Sequence, residues 1–126
     1  MRLDVSPKKV LVIENDEVIA ALITHILTRQ SYVVHTSFDT LEAEQMLERD
    51  AYDAILLDLK MPHGGVDLIN KIAERNPSLL RKVIVVTAAI QEAQELAGLP
   101  LHAIVRKPFE ITALVETVRA CVEPDA

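Results

Sequence analysis

A chain of 126 residues, half of them apolar, suits one compact domain with a single core. Two Tyr, two Phe and no Trp leave the packing to aliphatic side chains and exclude a base-stacking surface. A formal charge of -6, with 13 basic residues scattered among 19 acidic ones, repels phosphate backbones and argues against nucleic-acid binding.

Cys121 is the lone cysteine, so no disulfide framework forms within the chain, and its place in a helix-period segment marks it as a packing residue. Met1 to Lys9 is polar and lacks the apolar core of a signal peptide. The longest apolar stretch, Val18 to Leu27, is interrupted by Thr24 and His25 and is too short to span a bilayer. A reducing cytoplasm is the expected location, with no membrane partner.

Short apolar runs alternate with helix-period segments along the chain. Val10–Ile13 reads as a buried strand, followed by Ile19, Leu22, Ile23, Ile26 and Leu27 at helical spacing. Tyr32–Val34 reads as a weaker second strand, and Asp39 with Glu42 three residues later as a capping box opening a second helix. Ala54–Leu57 is the third strand. Gly65, Leu68, Ile69, Ile72 and Ala73 mark a third helix, closed before Pro77. Val83–Val86 is the fourth strand. Ile90, Ala93 and Ala97 give only a weak helical stripe, ended at Gly98 and Pro100. His102–Val105 is a short fifth strand, and Ile111, Leu114, Val115, Val118 and Val122 line the last helix.

Five βα units result, and no repeat or low-complexity tract interrupts them. Strands that are apolar throughout, without alternation, fit a parallel sheet covered on both faces. Right-handed crossovers leave few topologies. The expected fold is a doubly wound, flavodoxin-like α/β domain of order 2-1-3-4-5, spanning 1–126 with its core at about 9–122. In such sheets ligands bind beyond the carboxyl ends of the strands, near the switch point between strands 1 and 3.

The polar residues collect at those ends. Strand 1 runs into Glu14-Asn15-Asp16-Glu17, strand 3 into Asp58, strand 4 into Thr87 and strand 5 into Lys107-Pro108. Glu14, Asn15 and Asp58 would share one pocket. Carboxylates packed together need a cation or shared protons. Hard oxygen donors without Cys or paired His suggest Mg²⁺. Lys107 adds a fixed positive charge and Thr87 a hydroxyl donor. This set suits phosphoryl transfer to a carboxylate, the cation and donors neutralising charge on the transferred group. Taken singly the residues are bland: Asp16 reads as a helix cap, Asp58 and Thr87 as strand-end polar groups, and Lys107 as a loop residue. His25, His35, His63 and His102 lack metal-ligand spacing and read as surface or packing residues. The conjunction at successive strand ends carries the signal.

From about Lys9 to Val122 the chain resembles the response-regulator receiver domains of two-component signalling. The resemblance rests on Val10-Leu11-Val12-Ile13-Glu14-Asn15-Asp16-Glu17, Tyr52 to Pro62 around Asp58, Thr87-Ala88, and Lys107-Pro108-Phe109. It implies that Asp58 is phosphorylated by a histidine kinase or phosphotransfer protein. Glu14, Asn15 and Asp58, with the backbone carbonyl of Lys60, would hold Mg²⁺. Thr87 and Lys107 would engage the phosphoryl group, and the Lys107-Pro108 bond would be cis. Three departures stand out. Asn15 occupies the position of a metal-binding aspartate, Ile104 that of an aromatic switch residue, and the segment Met61 to Asp67, with Gly64-Gly65, and the fourth helix are both slightly short. With only a tail from Glu123, a stand-alone regulator without an output domain is expected. It would act by binding partners through the fourth helix, fifth strand and fifth helix.

Two other functions fit less well. A receiver-like interaction module that never uses phosphorylation accords with Asn15 and Ile104 but leaves Asp58, Thr87 and Lys107 unexplained. A phosphohydrolase with an aspartate nucleophile would need a second Asp where Lys60 stands. A phosphoacceptor switch rather than an enzyme is therefore expected. No Gly-rich phosphate loop follows strand 1, which disfavours nucleotide binding.

Overall fold

The computed structural model of the chain describes residues 6–123. The expected polar termini lie partly outside the described residues. Five strands, β1 (Lys9–Ile13), β2 (Val33–Ser37), β3 (Ala54–Leu57), β4 (Val83–Thr87) and β5 (Ala103–Arg106), form one sheet. Its order is β2-β1-β3-β4-β5, parallel throughout, as the apolar runs predict. The helices are α1 (Glu17–Thr28), α2 (Thr40–Arg49), α3 (Gly65–Arg75), α4 (Ile90–Gln94) and α5 (Ile111–Val122). A 3-10 turn, Pro77–Lys82, joins α3 to β4.

The unbroken apolar strands are explained by two separate cores. Val10, Val12, Ala54, Leu56, Ile84 and Val86 pack beneath α1 and α5, against Ile23, Leu27, Leu114 and Val118. Leu11, Ile13, Ile55, Leu57, Val83 and Val85 face the other way, onto Leu68, Ile69 and Ile72 of α3 with Ala43 and Leu96. Successive residues of one strand thus enter opposite cores, and each fully buried Leu or Ile stabilises the fold by about 1.5–3 kcal/mol. Among the described residues no helix is long and apolar enough to cross a membrane.

Helix starts follow local chemistry. Asp16 caps α1, its carboxylate accepting from the N–H groups of Val18 and Ile19. Asp39 caps α2 through Leu41 N–H. The Asp39 N–H, which a capping box would give to Glu42, is donated to Ser37 Oγ instead. Gly64 precedes α3 at φ +82°, a backbone region that favours glycine.

Three sequence expectations shift. β2 runs from Val33 to Ser37, not from Tyr32 to Val34. As an edge strand it needs only partial burial, so His35 and Thr36 pair with β1 despite their polarity. β5 begins one residue later than expected, at Ala103. α4 closes at Gln94, and the chain continues to Leu99 in i→i+3 turns through Leu96, Ala97 and Leu99 N–H. That tighter spacing buries Leu96 and leaves Ala97 exposed, where a 3.6-residue period places Ala97 inward.

Candidate functional site

Each strand ladder extends one step past its strand and thereby fixes a site residue. Asp58 N–H bonds Ile13 O at 3.0 Å, Glu14 N–H bonds Ser37 O at 3.0 Å, and Lys107 N–H bonds Thr87 O at 3.1 Å. The carboxyl ends of four strands thus bring Glu14, Asp58, Thr87 and Lys107 to one edge, as the strand-end pattern predicts.

Their side chains form one bonded group. Lys107 Nζ donates to Glu14 Oε1 at 2.5 Å and to Asp58 Oδ2 at 2.9 Å. Thr87 Oγ1 donates to Asp58 Oδ1 at 3.0 Å, and the same oxygen accepts Lys60 N–H at 3.1 Å. Thr87 Oγ1 in turn accepts Ala89 N–H at 3.0 Å, which fixes the direction of its proton. Glu14, Asp58 and Thr87 are buried, and the Lys107 side chain is 14% exposed. Asn15 is exposed beside Glu14, and Lys60 extends its side chain into solvent while its backbone faces Asp58.

The charges divide unequally. Burial works to raise the Asp58 pKa, but the Lys107 ammonium, Lys60 N–H and Thr87 hydroxyl outweigh it and hold the carboxyl below its ordinary value. Burial dominates at Glu14, and the Asp58 charge adds to it, so Glu14 lies above its ordinary value despite Lys107 and Asp16 N–H. For Lys107 burial acts to lower the pKa, yet the bonds to Glu14 and Asp58 prevail and raise it. At neutral pH Asp58 is therefore an anion whose two oxygens are both oriented by donors.

The oxygen donors expected to hold Mg²⁺ are two carboxylates, Glu14 and Asp58, with the Asn15 amide and the Lys60 backbone carbonyl. They fit a hard divalent cation in kind. Among the described residues no group of three or more His, Cys, Asp or Glu side chains is arranged to hold a metal.

Gly65 is a site-shaping residue that sequence reasoning placed only as a helix start. A Cβ there would lie 2.6 Å from Leu59 Cα and 2.8 Å from Asp58 O, so α3 can approach the acceptor loop only without a side chain at this position. The Gly64-Gly65 pair was the available signal. The β3–α3 loop is also held to α2: Thr40 Oγ1 donates to Pro62 O, and His63 Nδ1 lies 2.9 Å from Asp39 Oδ1. His35 bonds the Tyr52 hydroxyl at 2.8 Å, a packing role. His25 is exposed and His102 half-buried, while burial pushes the Cys121 thiol up to about 11. The Lys107-Pro108 bond is cis, as the resemblance implies.

The fold and the carboxylate–lysine–hydroxyl cluster define a doubly wound domain with a polar site at the carboxyl ends of its strands. The family model described as "Response regulator receiver domain" matches residues 10–119, and the chain belongs to that family. It is 30% identical over 122 residues to the probable transcriptional regulatory protein TcrX of Mycobacterium tuberculosis, covering 94% of this chain and 51% of that protein. It is 29% identical over 115 residues to the response regulator ArlR of Staphylococcus aureus, covering 89% and 51%. The chain thus spans about half the length of the curated relatives it matches. Among solved structures, the receiver domain of a sensor histidine kinase from Pseudomonas aeruginosa superposes with TM-score 0.82 at 22% identity, covering 93% of this chain and 98% of that one. That structure has a magnesium ion coordinated in its active-site cleft. A CheY-like receiver from Methanospirillum hungatei superposes with TM-score 0.84 at 24% identity, covering 94% and 96%.

Proposed function

We propose that this chain is a cytoplasmic phosphorylation switch in which Asp58 accepts a phosphoryl group from a histidine kinase or phosphotransfer protein. The observation that carries the reading is the bonding of Asp58: Lys107 holds one carboxylate oxygen, and Thr87 and Lys60 N–H hold the other. An Asp58 oxygen attacks phosphorus, an O–P bond forms, and the P–N bond to the donor imidazole breaks with its electron pair leaving on the ring. Lys107 and the Thr87 hydroxyl sit where they can take up the charge of the phosphoryl oxygens, already oriented before the reaction. Mg²⁺, when held by Glu14, Asn15, Asp58 and the Lys60 carbonyl, supplies further positive charge to those oxygens. Asn15 removes one negative charge from that donor set and weakens the site for the ion.

The chain turns over no separate substrate in this reading. Phosphorylation changes its affinity for a downstream protein at α4, β5 and α5, and nucleic acid is not its ligand. Rearrangement of the Thr87 to Gly98 segment carries the change, because α4 is short and gives way to i→i+3 turns. The test is intact mass after treatment with acetyl phosphate and Mg²⁺. Wild type gains one phosphoryl group and Asp58→Asn gains none; equal uptake by both removes Asp58 from the role.

A further inference from the structure

Resting on the phosphoacceptor reading above, we propose that Thr40, at the start of α2, is a positioning residue for Mg²⁺ and for the phosphoryl transfer that uses it. Its hydroxyl pins the tip of the β3–α3 loop in the shape that the acceptor site needs.

The loop has a firm base and an exposed tip. Leu59 and Met61 are buried in the core that α3 covers, whereas Pro62 and His63 are exposed and gain little from packing. Met61 N–H bonds Leu59 O and Gly64 N–H bonds Met61 O. These bonds close turns inside the loop and do not fix it against its surroundings. His63 at φ +69° precedes Gly64 at φ +82°, and a residue with a side chain disfavours the first of these. Such a backbone persists only where neighbouring groups hold it.

Those groups come from α2. Thr40 is 3% exposed, and its Oγ1 reaches across 22 residues of chain to donate to Pro62 O at 3.0 Å. Asp39, the cap of α2, meets His63 Nδ1 at 2.9 Å, but both of those side chains face water. The shielded hydroxyl bond is therefore the stronger tie.

Pro62 lies two residues after Lys60, whose N–H bonds Asp58 Oδ1 at 3.1 Å and whose carbonyl is one of the proposed Mg²⁺ donors. Freeing the tip lets the loop leave its ion-ready shape part of the time, and the apparent dissociation constant for Mg²⁺ rises as that fraction falls. Loss of one net hydrogen bond leaves about one fifth of the population ready, a rise of about fivefold. At saturating Mg²⁺ the ion itself restores the shape.

The test compares wild type with Thr40→Val, Thr40→Ser and Ser78→Ala, a control whose hydroxyl bonds Asn76 Oδ1 in the 3-10 turn. Mg²⁺ titrations followed by amide NMR give dissociation constants, and acetyl phosphate reactions read by intact mass give rates at low and at saturating Mg²⁺. Thr40→Val raises the constant about fivefold and slows phosphorylation by the same factor at low Mg²⁺ only. Thr40→Ser keeps the hydroxyl and returns both towards wild type, and Ser78→Ala matches wild type. The NMR signals come from folded protein, so a loss of stability alone moves neither constant. An unchanged constant in Thr40→Val, an equal rate deficit at saturating Mg²⁺, or no recovery in Thr40→Ser overturns the positioning role and leaves Asp58 as acceptor. Wild type that takes up no phosphoryl group overturns the phosphoacceptor reading, and this proposal with it.

Discussion

Replacing Lys107 by Met tests how the site's charges are balanced. In the wild type two buried carboxylates share one ammonium, at 2.5 Å from Glu14 and 2.9 Å from Asp58. Lys107→Met removes the cation, keeps a side chain of similar length, and leaves Glu14 and Asp58 facing each other. Breaking a buried ion pair costs about 3–5 kcal/mol. Lys107 retains 14% exposure, so the loss falls at the lower end, about 3 kcal/mol at pH 7.5. With a urea slope of about 1.5 kcal/mol/M, the midpoint drops by roughly 2 M.

The pH dependence has a definite sign. In the wild type Asp58 is held below its ordinary value, so its contribution is present above the unfolded pKa and is lost as pH falls through the folded one. Glu14 is held above its ordinary value and opposes folding once pH passes that raised value. Without Lys107 both carboxyls rise, pushed by burial and by each other. Folding then takes up protons, and the deficit shrinks as pH falls from 7.5 to 5. Adding Glu14→Gln to Lys107→Met returns the site to its original net charge and recovers more than half of the loss. Urea titrations of the three proteins at both pH values provide the measurement. A midpoint loss at pH 7.5 below about 0.5 M, or the same loss at pH 5, would refute the shared-ammonium account.

Asn15→Asp restores a third carboxylate and binds Mg²⁺ more tightly, by roughly tenfold for one added unit charge; titration calorimetry showing equal or weaker binding contradicts this. Lys60→Ala leaves Asp58 phosphorylatable but changes the decay rate of the phosphorylated protein, because the Lys60 side chain leaves the backbone turn that bonds Asp58. An unchanged decay rate assigns Lys60 to solvent. Ile104 is already 42% exposed and lacks the volume of an aromatic ring, so its burial changes little on activation. Backbone NMR with a beryllofluoride phosphate mimic then shows shifts across Thr87 to Gly98, and shifts confined to α1 and α2 rule that route out.

The strand order and the site were legible because they rest on the strongest sequence signals. β1, β3 and β4 are unbroken apolar runs, and only a sheet covered on both faces buries both sides of such strands. Once they lie parallel, the polar residue after each run must fall on one edge, which is why Glu14, Asp58, Thr87 and Lys107 were found together. β2 was harder: an edge strand is held by its backbone ladder, and His35 and Thr36 carry no apolar signal. The stripe of α4 is deceptive at Ala97, because a 3.6-residue period does not hold where the chain tightens to i→i+3 spacing around Leu96. The His63–Asp39 contact joins residues with no local pattern between them, and sequence spacing gives no hint of it. The bridging of both Glu14 and Asp58 by one ammonium likewise depends on side-chain reach across strands, which sequence spacing does not encode.

The central claim is that Asp58 itself becomes the acyl phosphate. Trapping it chemically tests this most directly: the protein is treated with acetyl phosphate and Mg²⁺, reduced with borohydride, digested and mapped by mass. Borohydride converts a phosphorylated aspartate to homoserine, so the account expects that conversion at position 58 and at no other aspartate or glutamate. Reduction at Glu14 or Asp16, or an unmodified Asp58 in protein that has taken up phosphate, would contradict it.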